Sequence, residues 1–258
     1  MSTPSERVLF ETRGAIAIVT LNRPEQRNAL DRETTIALRE VFDRIESDDS
    51  LRVSILASNG PVFSAGMDLK AFLTGEAEDI LFGPGGFGGF VSRDRAKPVI
   101  ACVQGAALAG GFELVLACDL VVAAHTAIFG LPESRLGLIA GGGGAFRVGQ
   151  RLPPVIANEI LLLGGRFDAM QAQAWGLINS ATDGDPMDDA MKMAEQIAAN
   201  APLSIAASLR VARDAAATND SGFWAQNDAE LRALIASDDA KEGARAFAEK
   251  RPPEWRGT

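Results

Sequence analysis

The chain has 258 residues, of which 47% are apolar and 23% charged, as is typical of a folded protein with a substantial core. Its net charge of −9 argues against nucleic-acid binding, because phosphate groups are bound by a basic protein face. The N-terminus is polar and no apolar stretch reaches the roughly 18 residues of a membrane span, so we expect a cytoplasmic protein without signal peptide or membrane segment.

Predicted strands and helices alternate along most of the chain. The strongest helix signal lies in residues 31–46, where four large apolar side chains repeat at helical spacing. A second, short and apolar helix is predicted to begin near Gly110. This alternation favours an α/β fold over about residues 5–200. Strands are predicted at 14–22, 52–58, 99–104 and 120–124.

Residues 74–97 have a composition that argues against regular structure. Their centre, Phe82–Phe90, has five glycines and one proline in nine positions. Because glycine loses more conformational freedom than other residues in a helix or strand, this composition disfavours both. We therefore expect a mobile loop, a lid, or both, rather than a helix or a paired strand.

The chain becomes alanine-rich and helical from Pro186 onward, without a strand pattern. We expect a core domain over residues 1–195 and a helical region over residues 196–258. Such a region can pack on a neighbouring subunit or on its own domain, and the residues alone favour neither. Helices are predicted at 187–200, 202–217, 223–236 and 238–249.

Two glycine-containing turns are candidates for binding a developing negative charge on oxygen. One lies in Phe63–Lys70, before a helix predicted to begin at Asp68, and the other is Gly110-Gly111 at the start of the short apolar helix. Amides in the first turn of a helix have no partner inside it, so two such turns could form an oxyanion hole for a thioester or ester carbonyl. The alternatives are an ordinary turn with Asp68 as N-cap, and glycines that only allow close packing.

Two glutamates are the candidate acid and base. Glu113 lies in the first turn of the short apolar helix, and Glu133 lies in the segment Phe129–Gly137. An acid buried among apolar side chains has a raised pKa, and two such acids in one cleft can form an acid–base pair. The alternatives are a solvent-facing helix acid for Glu113 and a surface salt bridge to Arg135 for Glu133.

The other candidate motifs carry less weight. Residues 141–144 are four consecutive glycines, but they lack the Lys-Ser/Thr of a P-loop, so a tight turn into a helix is predicted. His125 has no serine or cysteine nucleophile in a recognisable setting. Cys102 and Cys118 each lie in an apolar run and are expected to be small buried side chains. The cysteines and the histidine form no metal-ligand spacing, and no metal site is expected.

Taken together, these segments resemble the enoyl-CoA hydratase/isomerase (crotonase) family over nearly the whole chain. Each motif is short, and their order and spacing make the resemblance specific. The matching segments are Leu21–Pro24, Asn28–Leu30, Phe63–Leu69, Lys97–Ile100, Gly110–Leu114, Cys118–Asp119, Phe129–Gly137 and Ala174–Ile178.

The resemblance implies a spiral of ββα units with a C-terminal helical region that forms trimers or dimers of trimers. It also implies that the amides of Met67 and Gly110 bind the thioester oxygen. An acyl-CoA thioester is the expected partner, and CoA enters as part of this substrate rather than as a cofactor. The residues matched to the family's CoA path are Arg27, Ala29, Ala65, Asp68, Leu69 and Lys70.

The two glutamates decide which reaction the resemblance implies. Hydratases of the family have glutamates at both positions, whereas isomerases commonly keep only one. The implied reaction is reversible addition of water across the 2,3 double bond of an enoyl-CoA, with Glu113 activating water and Glu133 protonating the α-carbon. The alternatives are an isomerase or thioester hydrolase of the same fold, and a non-catalytic acyl-CoA-binding protein.

A narrower resemblance is to the carnitinyl-CoA dehydratase subgroup, whose substrate carries a trimethylammonium group that aromatic faces can bind. Gly141, by contrast, stands where that subgroup is expected to have an aspartate, and this is more like ordinary hydratases. The matching residues are Phe82–Phe87, Leu152–Glu159, Ala246–Arg251 and Trp255. The aromatic side chains considered for the ammonium group are Phe82, Phe87, Phe90 and Trp224.

Overall fold

In the computed structural model, the chain forms two β-sheets surrounded by helices. The structure describes residues 6–200, 202–216, 228, 232–233, 235–251 and 254. Within these residues, no helix is both long and apolar enough to cross a bilayer. The strands are β1 (Val8–Arg13), β2 (Ile16–Leu21), β3 (Val53–Ser58), β4 (Val62–Ser64), β5 (Val99–Val103), β6 (Ala106–Leu108), β7 (Leu120–Ala124), β8 (Ile128–Gly130), β9 (Arg166–Asp168) and β10 (Ser180–Thr182).

The helices lie between and after these strands. They are α1 (Arg32–Ser47), α2 (Leu69–Leu73), α3 (Ala77–Leu81), α4 (Gly110–Ala117), α5 (Gly144–Arg151), α6 (Pro154–Leu163), α7 (Ala169–Ala174), α8 (Pro186–Ala198), α9 (Pro202–Ala216) and α10 (Asp238–Glu249). Short 3₁₀ turns occupy Pro24–Gln26, Phe87–Gly89 and Glu133–Leu136.

From β3 to β8, successive strands alternate between the two sheets. The larger sheet has the order β1-β2-β3-β5-β7-β10, and the smaller one has the order β4-β6-β8-β9. The pairs β3/β4, β5/β6 and β7/β8 each place their first strand in the larger sheet and their second in the smaller sheet. The first two pairs lead directly into α2 and α4. This arrangement is the spiral of ββα units that the family resemblance implies.

The larger sheet separates two apolar layers because side chains alternate along each strand. Along β2, Ala17 and Val19 face the main core, whereas Ile16 and Ile18 face α8. Helix α8 therefore packs on the sheet and belongs to the core. The change in composition at Pro186 consequently does not mark the end of the core, and the helical region that packs outside it begins only after α8.

The glycine-rich segment is built into the core, so the prediction of a loop without helical structure is wrong. Helix α3 lies within residues 74–97, and the Phe87–Gly89 turn follows it. Phe87 and Phe90 are both fully buried. The ring centroid of Phe90 lies 4.6 Å from that of Phe42 on α1. The two phenylalanines anchor the segment from inside.

Close packing, rather than flexibility, explains the glycines of this segment. A Cβ placed on Gly88 would lie 2.6 Å from Leu30 Cδ2, and one placed on Gly89 would lie 2.7 Å from Arg39 Cβ. Gly88 also has φ 65°, a left-handed conformation that glycine adopts without strain. Only residues without a side chain allow the segment to approach its neighbours this closely.

The described C-terminal helices dock on their own chain. Arg213 of α9 forms an ion pair with Asp119 at 2.7 Å. Helix α10 packs against α2 and the Glu133–Leu136 turn, and its N-cap, Ser237, accepts a hydrogen bond from the amide of Ala240. The predicted helices at 187–200, 202–217 and 238–249 agree closely with α8, α9 and α10, whereas most of the one predicted at 223–236 lies outside the described residues.

Candidate active site

Three strand–helix junctions meet at one edge of the smaller sheet. Strands β4, β6 and β8 are parallel neighbours, with Val62 opposite Ala106 and Ala107 opposite Phe129. At their carboxyl ends they lead toward α2, α4 and the Glu133–Leu136 turn, respectively. Because the carboxyl ends of parallel strands share one edge, residues far apart in sequence gather there. The candidate residues brought to this edge are Met67, Gly110, Glu113 and Glu133.

The two turns proposed for the oxyanion hole touch each other. Gly66 has φ 89°, and a Cβ placed on it would lie 2.7 Å from the amide nitrogen of Gly110. A Cβ on Gly111 would lie 2.1 Å from Ser64 O. The glycines therefore do permit close packing, and that packing brings the turns together. The amides of Met67 and Gly110 donate no hydrogen bond to any other described residue.

The residue before Gly110 has an uncommon backbone conformation. Ala109 has φ 52° and ψ −132°, which an L-residue adopts only under strain. Its carbonyl accepts the amides of Phe112 and Glu113, at 2.9 and 3.1 Å. Ala109 thereby starts α4 in a sharp turn and leaves the amide of Gly110 outside the helical hydrogen-bond pattern.

The two segments expected to line the CoA path lie side by side. The amide of Leu30 donates to Gly66 O at 2.8 Å, and the amide of Asp68 donates to Leu30 O at 2.9 Å. Just before this pair in both segments, the amide of Ala65 donates to the carbonyl of Arg27 at 3.0 Å. The Arg27 side chain is exposed, whereas Ala29 is buried.

Asp68 has a structural role in this region. Its carboxylate accepts the amide of Lys70 at 3.0 Å, so the expected N-cap of α2 is present. The same carboxylate lies 3.2 Å from the guanidinium of Arg23, which also pairs with Asp31 at 3.1 Å. Leu69 is half-buried and Lys70 is exposed. Lys70 therefore offers its charge to solvent or to a ligand, while Asp68 is engaged within the protein.

Glu113 is enclosed by the four-glycine run rather than exposed on its helix. It is only 3% exposed, and its Oε1 accepts the amide of Gly144 at 2.8 Å. A Cβ placed on Gly142 would lie 2.5 Å from Glu113 Oε2. Burial raises the pKa of Glu113 to about 7, opposed by the Gly144 amide and the Arg147 charge. The solvent-facing alternative is therefore wrong.

The four-glycine run also forms the turn that its sequence predicts. Gly143, with φ 97°, lies at the N-cap of α5. The contact of the glycine run with Glu113, made by the amide of Gly144, was not predicted, because it joins segments about 30 residues apart. The informative signal was the glycine run itself, since such a run permits a backbone to close over another group.

Glu133 is equally buried but lacks comparable partners. It is 7% exposed, and its Oε2 has no hydrogen-bond partner among the described residues. Burial, and then the nearby charge of Glu113, raise the pKa of Glu133 well above its usual range. The guanidinium Nε of Arg135 donates instead to Leu163 O at 2.8 Å. The expected alternative of a surface salt bridge to Arg135 is therefore wrong.

The remaining titratable candidates lie outside this arrangement. His125 Nδ1 lies 2.5 Å from Asp183 Oδ1 at a solvent-accessible position. Cys102 and Cys118 are buried and unpaired, and burial raises the pKa of each thiol to about 12. The prediction that both are small buried side chains is confirmed.

The aromatic rings considered for an ammonium group are engaged within the protein. Phe87 and Phe90 are fully buried, and the Arg95 guanidinium lies 4.5 Å from the Phe90 ring. Phe82 already has the guanidinium of Arg232 over its face, at 3.9 Å. Trp224 lies outside the described residues. The three described rings thus do not form the cage that cation–π binding of a substrate would need.

Comparisons with known proteins match one family and its fold. The family model described as enoyl-CoA hydratase/isomerase matches residues 11–258. A carnitinyl-CoA dehydratase from Proteus mirabilis is 43% identical over 98% of this chain and 99% of its own length. A solved carnitinyl-CoA hydratase from Mycobacterium avium is 41% identical with a TM-score of 0.92. An enoyl-CoA hydratase structure from Mycobacterium marinum is 45% identical with a TM-score of 0.79. Both structural alignments cover 98% of this chain and 100% of the other.

Proposed function

The chain belongs to the enoyl-CoA hydratase/isomerase family, and we propose that it is a hydro-lyase that adds water reversibly across the 2,3 double bond of an enoyl-CoA thioester. The observation that carries this proposal is the buried pair of Glu113 and Glu133 together with two amides that have no hydrogen-bond partner among the described residues. Water addition needs one group that accepts a proton from water and another that delivers a proton to carbon. Moving a double bond needs only one group that shuttles a proton.

The surroundings of the two acids support different roles. Glu113 accepts a backbone amide and faces the charge of Arg147, and both favour its ionised form. The carboxyl group of Glu133 has an oxygen without a hydrogen-bond partner in the described part of the chain and lies near the Glu113 charge, which favours its protonated form. We therefore assign Glu113 as the base and Glu133 as the acid.

The proposed hydration proceeds through an enolate. Glu113 accepts a proton from water as the water oxygen bonds to the β-carbon, and the electrons of the double bond move toward the thioester carbonyl. The amides of Met67 and Gly110 bind the resulting enolate oxygen, where negative charge develops. Glu133 then delivers its proton to the α-carbon. One water is consumed, and solvent exchange restores the starting protonation of both carboxyl groups.

We assign the CoA path to the paired segments beside α2. Arg27 and Lys70 are exposed cations next to the oxyanion turn and suit the phosphates of CoA. Asp68 contributes by capping α2 and by binding Arg23. The remaining residues proposed to line this path are Ala29, Ala65 and Leu69.

Carnitinyl-CoA dehydration is the second candidate, because relatives of that name match nearly the whole chain. Gly141 and the engaged state of Phe82, Phe87 and Phe90 argue for an ordinary acyl group instead. The test is the loss of enoyl-thioester absorbance with purified protein, comparing crotonyl-CoA with crotonobetainyl-CoA.

The expected result is a clear preference for crotonyl-CoA. A strong preference for crotonobetainyl-CoA would establish the carnitine branch and overturn our choice of substrate. Activity on neither thioester would move the assignment to another acyl group, or, if the protein shifts the double bond without hydrating it, to an isomerase.

We also propose that the protein acts in a reducing cytoplasm, as a trimer or a dimer of trimers. The two unpaired buried thiols support the first point, and membership of the family supports the second. Light scattering after gel filtration measures the mass of the assembly, and a monomeric mass would contradict this proposal.

A further inference from the structure

Arg147 connects two segments of the active-site wall. It lies in the first turn of α5 and is half-buried. Its Nη1 donates to Gly142 O at 3.2 Å, and its Nη2 donates to Val91 O at 2.6 Å. The guanidinium crosses so close to the glycine run that a Cβ placed on Gly143 would lie 2.0 Å from Nη1.

One of the segments held by Arg147 contacts Glu113, and the other lies beside that contact. Gly142 contacts the Glu113 carboxylate, and a Cβ placed on Gly142 would also lie 3.1 Å from Phe87 Cβ. Phe87 begins the 3₁₀ turn that precedes Val91. The two hydrogen bonds of Arg147 therefore join the glycine run that contacts Glu113 to the segment that follows Phe87.

Two titratable side chains neighbour Glu113 on the elements packed around it. Arg147, on α5, favours the ionised carboxylate and opposes the effect of burial on its pKa. Glu133, on the 3₁₀ turn after β8, has its own pKa raised by the charge of Glu113, and it carries no charge while it keeps its proton. Arg147 is therefore the charged side chain that favours the ionised form of Glu113.

We propose that Arg147 is a positioning residue that acts through Glu113. Its two hydrogen bonds hold the amides of the glycine run against the Glu113 carboxylate, and its positive charge faces the same carboxylate. A planar guanidinium suits this task because it donates in two fixed directions, whereas an ammonium group is a single flexible donor. This inference deepens the proposed function and rests on it for the assignment of Glu113 as base.

The test compares three variants. Arg147→Met removes both the two hydrogen bonds and the positive charge. Arg147→Lys keeps the charge but lacks the planar guanidinium that donates in two directions. Arg151→Met is the matched control, because Arg151 lies one turn later on α5 and donates to a backbone carbonyl, Leu116 O, at 2.7 Å. Arg151 therefore controls for the loss of an arginine–carbonyl hydrogen bond on the same helix without disturbing the glycine run.

The first measurement is the pH profile of kcat/KM. Loss of a nearby opposite charge raises a carboxyl pKa by roughly one unit or more, so the acidic limb of Arg147→Met should move up by about one unit. At pH near 7 the ionised fraction would then fall from about one half to about one tenth, which is about a fivefold loss of activity. Arg147→Lys should keep the limb near its wild-type position and lower kcat with little change in KM.

Arg151→Met should reduce thermal stability and leave the acidic limb in place. Equal shifts of the limb in Arg147→Met and Arg151→Met would overturn the specific role of Arg147. A wild-type kcat in Arg147→Lys would overturn the requirement for the planar guanidinium.

A second measurement does not depend on turnover. The infrared absorption of protonated carboxyl groups, followed against pH, should contain a component that is lost in Glu113→Gln and moves to higher pH in Arg147→Met. If the wild-type protein hydrates no thioester, the proposed function fails, and this titration still decides whether Arg147 acts on Glu113. An unmoved component in Arg147→Met would overturn the inference.

Discussion

The first turn of α4 and the Glu133–Leu136 turn each bury one glutamate at the same edge of the smaller sheet, but they surround it differently. Around Glu113, the backbone of the glycine run supplies a hydrogen bond and Arg147 supplies charge. Around Glu133, one carboxyl oxygen has no partner within the described structure. Burial raises both pKa values. The partners, rather than the residue type, therefore decide which acid releases its proton more readily.

The sharpest test of this difference is to neutralise each acid in turn. Glu113→Gln and Glu133→Gln should each lower hydration by roughly 10² to 10⁴-fold, the usual contribution of general acid–base catalysis. The two variants should differ in the first step of the reverse reaction, which removes the α-proton from the hydrated thioester. Exchange of the α-proton of the hydrated thioester with deuterated water needs Glu133 alone, so NMR should detect it in Glu113→Gln and not in Glu133→Gln.

Glu40→Gln is the control for these substitutions, because Glu40 is an exposed carboxyl on α1. It should retain wild-type hydration and exchange. The opposite pattern of exchange, retained in Glu133→Gln and lost in Glu113→Gln, would reverse the assigned roles. Near-wild-type hydration in Glu113→Gln would exclude Glu113 as the base.

A second test adds a methyl group beside Glu113, the acid that has a hydrogen-bond partner and a nearby cation. In Gly142→Ala the new Cβ would lie 2.5 Å from Glu113 Oε2, so the carboxylate or the glycine run must move. Displacements of about 1 Å in an active site can cost about 10²-fold in rate, and we expect a loss of kcat of that order. Steady-state kinetics with the preferred thioester measures it.

Gly149→Ala is the matched control for Gly142→Ala. Gly149 lies on α5, and a Cβ placed on it meets no other atom within 4 Å. This substitution should keep kcat and raise stability by about 0.5–1 kcal/mol, as alanine is favoured over glycine within a helix. Gly142→Ala should cause no further loss when Glu113 is already glutamine, and a further loss would mean that Gly142 acts on another group.

The sequence was sufficient to select the two acids as candidates but not to predict the difference between their surroundings. Glu113 and Glu133 each stand out as a charged residue in an apolar segment, a property of neighbouring residues alone. The pairing of Glu113 with Gly144 joins α4 to α5, and no local pattern contains a contact formed between two elements. The glycine run could be identified only as a turn.

The same limit explains the errors in the predicted fold. Strands β4, β6 and β8 are three residues long, too short for the alternation that identifies a strand. Their pairing nevertheless creates the edge at which the site forms. In the segment around Gly88, glycine was taken to indicate flexibility, whereas its physical role is close approach to Leu30. A flexible loop and a closely packed segment can have the same glycine-rich composition, and only the packing in the folded chain distinguishes them.

The smallest expected effect concerns stability and tests the less-supported acid. Because the pKa of Glu133 is raised on folding, the folded protein keeps a proton that the unfolded chain releases above a pH of about 4.3. The unfolded state then binds fewer protons than the folded state, so the contribution of Glu133 to the free energy of unfolding falls as pH rises above about 4.3.

Glu133→Gln has no proton to release and removes this pH-dependent loss of stability. The free energy of unfolding of Glu133→Gln relative to wild type should therefore improve between about pH 5 and about pH 8. Denaturant unfolding at both pH values measures the change, with Glu40→Gln expected to show none. A difference that does not depend on pH would mean that Glu133 releases its proton in the folded protein as readily as in the unfolded chain, and the contrast between the two acids would then lose its electrostatic basis.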